Sequence, residues 1–417
     1  MNNFHSDDEM YYPRWLTPLL REASAAYPVV VLTGARQVGK STLLHRATPF
    51  CDWRYHTLDD FDTASQAARD PAALWAGAER VILDEVQRAP QLLPAVKTSV
   101  DQEPGRRRFI LSGSANLMLM HQVSESLAGR AVYLTLSPMT LGELQQTPPP
   151  EVLQRALAGE WPSESVLPGE PLDPTAVLLR GLLPTLLRFP SPQSWPRWWD
   201  GYVATYLERD LRQLSQVSSL IDFRRAMMAL ALRTGQLLNQ SDVARDAGLS
   251  QPTLHRYLNL LETTCLFERL PVYAGNRTSR LVKAPKAFWA DPGLAVFLSG
   301  YFTAEAVAGA REYGAFFETL IYHHLRVLAG LMTPPARLYY WRTQASAEVD
   351  FVLEHGRRCL AIEVKRTERP RYDDCAGLVR FLDENPQAAG GVLLHGGREI
   401  RRMGERIVAL PWTMVTG

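Results

Sequence analysis

Eight consecutive residues, Gly34-Ala35-Arg36-Gln37-Val38-Gly39-Lys40-Ser41, have the types and spacing of a loop that wraps a phosphate chain. Two glycines let the backbone turn its N–H groups inward around phosphate oxygens. Lys40 reaches the β- and γ-phosphates, and Ser41, followed by Thr42, offers a hydroxyl to Mg²⁺. The apolar run Val29–Leu32 before the octet and Leu43–Leu44 after it supply the strand and helix such a loop needs, and the helix N-terminus adds its dipole. Asp84 and Glu85 close a second apolar run, Val81-Ile82-Leu83. An aspartate at the mouth of a parallel strand holds Mg²⁺ through water, and the adjoining glutamate orients an attacking water. Alone, the pair would read equally well as a solvated acidic turn after a buried strand; beside the loop it points to nucleotide hydrolysis. Phe109-Ile110-Leu111-Ser112-Gly113-Ser114 ends a third strand in small polar residues, and Ser112 or Ser114 could sense the γ-phosphate, although hydroxyls are common at strand ends.

A second group of chemically able residues lies near the C-terminus. Glu348–Glu354 alternates like a strand, His355-Gly356-Arg357 is turn material, and Arg358–Lys365 is a second strand. Glu363 and Lys365 are two apart and share a face. A two-residue turn at Gly356–Arg357 sets Asp350 opposite Glu363, and a turn one residue earlier keeps Asp350 on that face. Two carboxylates and an ammonium on one face suit metal-assisted phosphodiester hydrolysis. The plain alternative is a solvated face with a Glu363–Lys365 ion pair. Against it, Asp350 lies between Val349 and Phe351, Glu363 lies between Ile362 and Val364, and opposed acids repel unless a cation sits between them.

These groups need elements to position them. Strands and helical stretches alternate to about residue 145, the pattern of a parallel sheet covered by helices. Thr147-Pro148-Pro149-Pro150, and the proline and glycine that follow to about residue 175, predict a linker or irregular connector. From about residue 194 the chain turns helical; Trp195, Trp198, Trp199, Tyr202, Tyr206 and Leu207 form a stripe better suited to a core than to base stacking. Residues 236–262 predict a helix stopped at Gly248 and a second one capped by Ser250 with Pro252 in its first turn. That is the layout of a helix-turn-helix, with Gln251, Thr253, His255 and Arg256 as groove contacts, and Leu266–Leu270 and Lys286–Trp289 as strands of a wing. Seven basic residues face four acidic ones over residues 241–286, enough to contact phosphates. Winged helices also serve as protein-docking modules, so a DNA partner and a protein partner both remain open. Glu208-Arg209-Asp210 and the Lys283/Lys286 pair read equally well as intersubunit or phosphate contacts and as plain surface pairs.

The 417 residues allow two or three domains, and 46% hydrophobic and 21% charged residues describe an ordinary globular chain. A net charge of +1 gives no global attraction to nucleic acid, so any such binding must come from local patches. Cys51, Cys265, Cys359 and Cys375 show neither a C-x-x-C pair nor metal-ligand spacing, as expected in a reducing cytoplasm. The N-terminus is polar and acidic, and no apolar run approaches a membrane span, so a cytoplasmic protein with no membrane partner is expected.

The octet with its following threonine, Val81–Gln87, Leu111–Asn116 and Leu127–Pro138 resemble the AAA-type ATPase module. The stretch Tyr206–Leu211 and the region to about residue 367 resemble the partner domain fused to that module in bacterial and archaeal ATPases, so the likeness runs from about residue 12 to 370. It implies ATP and Mg²⁺ as cofactors and self-association through the ATPase domain. It also implies that Arg130 acts as a finger on a neighbour's nucleotide, unless Arg130 is a surface arginine paired with a nearby acid. The C-terminal spacing resembles the PD-(D/E)XK nuclease superfamily, which adds Glu318, on the preceding helix, as a further metal ligand beside Asp350 and Glu363, although no proline precedes Asp350. The expected architecture is therefore α/β. A P-loop AAA-type parallel sheet spans residues 12–146, a proline-rich connector 147–175, a helical region with a winged helix 176–300, and a small nuclease-like α/β domain 301–417. The expected function is ATP-dependent binding and processing of DNA. The alternative is a nucleotide-controlled switch that grips DNA or protein and cuts nothing. A small-molecule kinase is disfavoured, since nothing after residue 145 resembles an acceptor-binding lid.

Overall fold

The computed structural model describes residues 11–113, 127–207, 219–274, 283–343 and 347–417. Ser114 and the Glu208-Arg209-Asp210 trio fall outside them. The chain divides into two compact units, Met1–Met139 with Glu143–Pro148, and Thr140–Gly142 with Pro149–Gly417.

The first unit is built on five parallel strands, β1 (Val29–Thr33), β2 (Arg54–Thr57), β3 (Arg80–Asp84), β4 (Arg108–Ser112) and β5 (Ala131–Thr135), in the order β2-β3-β4-β1-β5. Strands β1, β3 and β4 are near-continuous apolar runs because helices cover both faces of such a sheet. Val29, Val31, Leu83, Phe109 and Leu111 pack with Trp75, Leu92 and Val96 in one core. Helices α1 (Thr17–Ala26), α2 (Lys40–Arg46), α3 (Phe61–Arg69) and α4 (Leu92–Gln102) complete the unit, and α3 starts where Asp60 accepts a hydrogen bond from the Thr63 N–H. The consequence for function lies in the strand order. Because β4 lies between β1 and β3, Ser112 pairs with Leu32 just before the glycine loop, and Leu111 pairs with Leu83 just before Asp84. Three segments distant in sequence thus end at one edge of the sheet.

In the second unit the proline-rich segment is partly regular. Helix α5 (Val152–Ala158) buries Leu153, Ala156 and Leu157, and the two-residue strand β6 (Ser165–Val166) pairs with an edge of the sheet. Helix α6 (Trp195–Tyr202) buries Trp195, Trp199 and Tyr202, so these stripe aromatics are core. Helix α7 (Leu220–Ala231) leads to α8 (Gln240–Ala247) and α9 (Gln251–Thr263). Asn239 caps α8, Gly248 ends it in the left-handed conformation at φ 69°, and Ser250 caps α9 through the Thr253 N–H, as the local sequence predicts. Strands β7 (Phe267–Leu270) and β8 (Lys286–Trp289) pair antiparallel.

A seven-stranded sheet follows, in the order β6-β13-β14-β12-β11-β10-β9. Its members are β9 (Arg337–Arg342), β10 (Glu348–His355), β11 (Arg358–Lys365), β12 (Gly390–His395), β13 (Glu399–Gly404) and β14 (Ile407–Pro411). Helix α10 (Tyr313–Leu331) stacks Tyr322 on Phe288 of β8, 4.2 Å between ring centroids, and packs the same ring near Phe351 of β10. Helix α11 (Ala376–Glu384) inserts Leu378 and Phe381 among Val349, Val352, Ala361 and Leu393. Among the described residues no helix is long and apolar enough to cross a membrane.

Candidate functional site

The octet folds between β1 and α2 as its glycines require. Gly34 has φ +145° and Gly39 φ +95°; a Cβ on Gly34 would lie 2.2 Å from the Leu136 carbonyl oxygen, so only glycine fits. Gln37 also has positive φ, at 65°. Ala35 and Val38 are buried, Arg36 and Ser41 are half-buried, and Gln37 and Thr42 are exposed. The Lys40 ammonium is buried and donates to the carbonyls of Gly34 at 2.8 Å and Ala35 at 3.0 Å, which holds it inside the loop.

Asp84 stands across from the loop. Ser41 donates to its Oδ2 at 2.7 Å, Tyr55 donates to the same oxygen, and the Glu85 N–H donates to Oδ1 at 3.0 Å. Burial, and next the charge of Asp84, push the Tyr55 phenol well above its usual range, so it stays a donor. Glu85 adopts the left-handed conformation at φ 57° and accepts a hydrogen bond from the Gln87 amide. Ser112 is fully buried, and its hydroxyl has no hydrogen-bond partner. An orphaned hydroxyl at the strand end, a glycine cradle and a buried lysine together fit a phosphate chain with its Mg²⁺. The sequence gives no sign of Tyr55 at this site, nor of the buried Arg14–Glu143 pair at 3.1 Å. Arg14 donates to the Val38 carbonyl at 2.6 Å and the Ser137 carbonyl at 2.7 Å, bracing the loop from behind.

Arg130 makes a bidentate ion pair with Asp101, Nε to Oδ1 at 2.5 Å and Nη2 to Oδ2 at 2.9 Å, and both side chains are substantially exposed. The arginine expected as a finger is engaged within its own chain.

The C-terminal hairpin has the register predicted from its two-residue turn. Phe351 pairs with Ile362 and the pairing runs down to His355 with Arg358, which leaves Asp350 and Glu363 next in line. Lys365 Nζ lies 2.6 Å from Glu363 Oε1, and Asp350 Oδ2 accepts from the Val364 N–H at 2.8 Å. Glu318, on α10, joins the group by way of a residue not expected there. Lys286, the first residue of β8, buries its ammonium 2.7 Å from Glu348, 3.0 Å from Glu318 and 3.5 Å from Asp350. It is 3% exposed and so is no surface residue. Its burial works against the charge, but Glu318, Asp350 and Glu348 together outweigh that and hold the amine above its usual range. Glu318 and Glu363 are each pushed up to about 8, by burial first and the charge of Asp350 second. Glu363 Oε2 is buried and has no hydrogen-bond partner. Among the described residues no group of histidine, cysteine and carboxylate side chains has the closeness of a formed metal centre.

A parallel sheet carrying a phosphate loop after its first strand and an acidic strand end beside it makes the first unit a P-loop ATPase domain of the AAA type. The AAA domain family matches residues 26–145, and two domains of unknown function, DUF8612 and DUF4143, match residues 173–305 and 313–415. Two mycobacterial proteins, uncharacterized protein Rv2008c of Mycobacterium tuberculosis and uncharacterized protein Mb2031c of Mycobacterium bovis, are each 32% identical over 398 residues, 94% of this chain and 82% of theirs. The chain belongs to the same family as these proteins. Among solved structures, the Walker-type ATPase PABY2304 of Pyrococcus abyssi aligns with 68% of this chain and 94% of its own, at 19% identity and a TM-score of 0.44.

Proposed function

We propose that this protein binds ATP with Mg²⁺, hydrolyses it, and uses its nucleotide state to control how the second unit grips DNA, without cutting it while Lys286 fills the acidic cluster. The ATPase half rests on the loop, where Lys40, Asp84 and the unpartnered Ser112 hydroxyl surround the space a phosphate chain would take. Lys40 would turn from its carbonyls to the β- and γ-phosphates, and Ser41 with Asp84 would hold Mg²⁺. Held there, the ion would supply positive charge against the charge that develops in phosphoryl transfer. Glu85 orients the attacking water and Ser112 donates to the γ-phosphate. Arg130 acts on the nucleotide of a second copy after exchanging Asp101 for phosphate, an exchange that costs little for a pair this exposed.

The DNA half is supported by the exposed first turns of α9. Gln251, His255 and Arg256 face solvent beyond the Gly248 turn, and Thr253 is half-buried behind them. With β7 and β8 read as the wing, α9 is the recognition helix. A cytoplasmic location suits this reading.

The absence of cutting rests on one observation, the Lys286 ammonium among Glu318, Glu348 and Asp350. Metal-dependent cleavage is the second reading, and the unpartnered Glu363 oxygen favours it. The test is binding and cleavage of labelled single-stranded, duplex and branched DNA with Mg²⁺ or Mn²⁺, with and without ATP. The unmodified protein is run beside Lys40→Ala and Asp350→Ala. The expected result is binding that responds to ATP only when Lys40 is present, with no products. Cleavage lost in Asp350→Ala would replace the switch by a nuclease, and no binding at all would make the helix-turn-helix a protein-docking module.

A further inference from the structure

The cluster around Lys286 joins side chains from three elements that no local pattern connects: Lys286 from β8, Glu318 from α10, and Glu348 and Asp350 from β10. An ammonium with 3% exposure and three carboxylates within 3.5 Å occupies the position of a cation. A fourth carboxylate stands next to it. Glu363, 8% exposed, lies opposite Asp350 in the hairpin register, spends Oε1 on Lys365 and leaves Oε2 buried without a partner. Four acids therefore meet two lysines and Arg342, which lies 3.6 Å from Glu348. One carboxyl oxygen, Glu363 Oε2, is left over.

We infer that Lys286 is the resident cation of this site and sets its specificity: it gathers Glu318 and Asp350 around its ammonium while excluding divalent metal, so that displacing Lys286 lets Glu318, Asp350 and Glu363 close on Mg²⁺ or Mn²⁺ as a latent site. This rests on the nuclease-like reading of the hairpin. Oxygen-only ligands suit hard divalent ions, and Lys286, 3.0 Å from Glu318 and 3.5 Å from Asp350, takes up the oxygens that such an ion would need. Lys286 is carried by β8, which pairs antiparallel with β7 and, at Lys286 and Ala287, also bridges the Gly235–Leu237 segment just before α8, so a partner that shifts this helix-turn-helix region shifts the lysine with it.

The test is Mn²⁺ binding to the nucleotide-free, full-length protein, followed by electron paramagnetic resonance of the free ion. Lys286→Ala is expected to bind Mn²⁺ at least about tenfold tighter than the unmodified protein, because a unit charge beside the metal is gone. Lys286→Arg, which keeps the charge, gains nothing. Adding Asp350→Asn to Lys286→Ala should remove the gain. Loss of the lysine removes the partner shared by Glu318, Glu348 and Asp350 and can unfold the unit. The charge-balanced pair Lys286→Met with Glu348→Gln removes one charge of each sign and should show the same gain. Equally tight, Asp350-dependent binding in the unmodified protein would overturn the role of Lys286 and leave the nuclease-like reading standing. No Asp350-dependent binding in any of these proteins would overturn both.

Discussion

At the scale of single residues, the nucleotide site is a set of polar groups held in place by other polar groups. Asp84 accepts from Ser41, from Tyr55 and from the Glu85 backbone, so the group that would meet Mg²⁺ is fixed before any ion arrives. Glu85 is held differently. Its backbone is left-handed and its carboxylate accepts from the Gln87 amide, so a backbone conformation and a side-chain hydrogen bond together set its direction. Glu85→Gln should therefore keep ATP binding and lose turnover by about 10²- to 10⁴-fold, the range for removing a positioned base. Fluorescent-nucleotide binding beside phosphate release measures both. Equal loss of binding and turnover would assign Glu85 to the structure of the loop.

At the scale of elements, two local devices set the functional geometry. One is the strand order, which brings the ends of β1, β3 and β4 to a single edge and lets three short motifs meet. The other is the Gly248–Ser250 turn, which ends α8 and starts α9 within three residues. Ser250 Oγ accepts from the Thr253 N–H at 3.3 Å and lies 2.8 Å from its hydroxyl. Ser250→Ala should cost about 1 kcal/mol of stability, the usual value for a lost N-cap, and Ser250→Asp should restore it. Urea unfolding followed by circular dichroism reads both. No loss in Ser250→Ala would mean that packing of Leu254 and Leu258 alone fixes the start of α9.

At the scale of the whole molecule, buried ionisable groups make stability depend on pH. His324 is fully buried, accepts from the Leu141 N–H at 3.1 Å and donates to the Leu320 carbonyl at 2.8 Å. Burial pushes its pKa down to about 4 from 6.5. The unfolded chain therefore takes up the proton first as pH falls. Stability contributed by His324 is present above 6.5 and is lost as pH falls towards 4, by about 3 kcal/mol at most. Asp291, pushed up to about 6 by burial, acts with the opposite sign over part of the same window. The prediction is thus a difference: between pH 6.5 and 4 the unmodified protein should lose more stability than His324→Gln. Parallel profiles in the two proteins would contradict it.

Sequence alone determined what depends on near neighbours. The octet, the Asp84–Glu85 strand end, the Gly248 and Ser250 helix boundaries and the parity of the Asp350–Glu363 hairpin all follow from spacing of a few residues, because backbone sterics, capping and strand alternation act at that range. Tertiary structure decided which charges meet. Arg14 finds Glu143, Tyr55 finds Asp84, and Arg130 finds Asp101 through contacts no periodicity encodes. Lys286 shows the limit most plainly. At the start of a short strand a lysine reads as solvated, and burying its ammonium is tolerable only because Glu318, Glu348 and Asp350 arrive from segments 32 to 64 residues further along the chain. A buried charge is stable only with its partners, and the fold alone selects them.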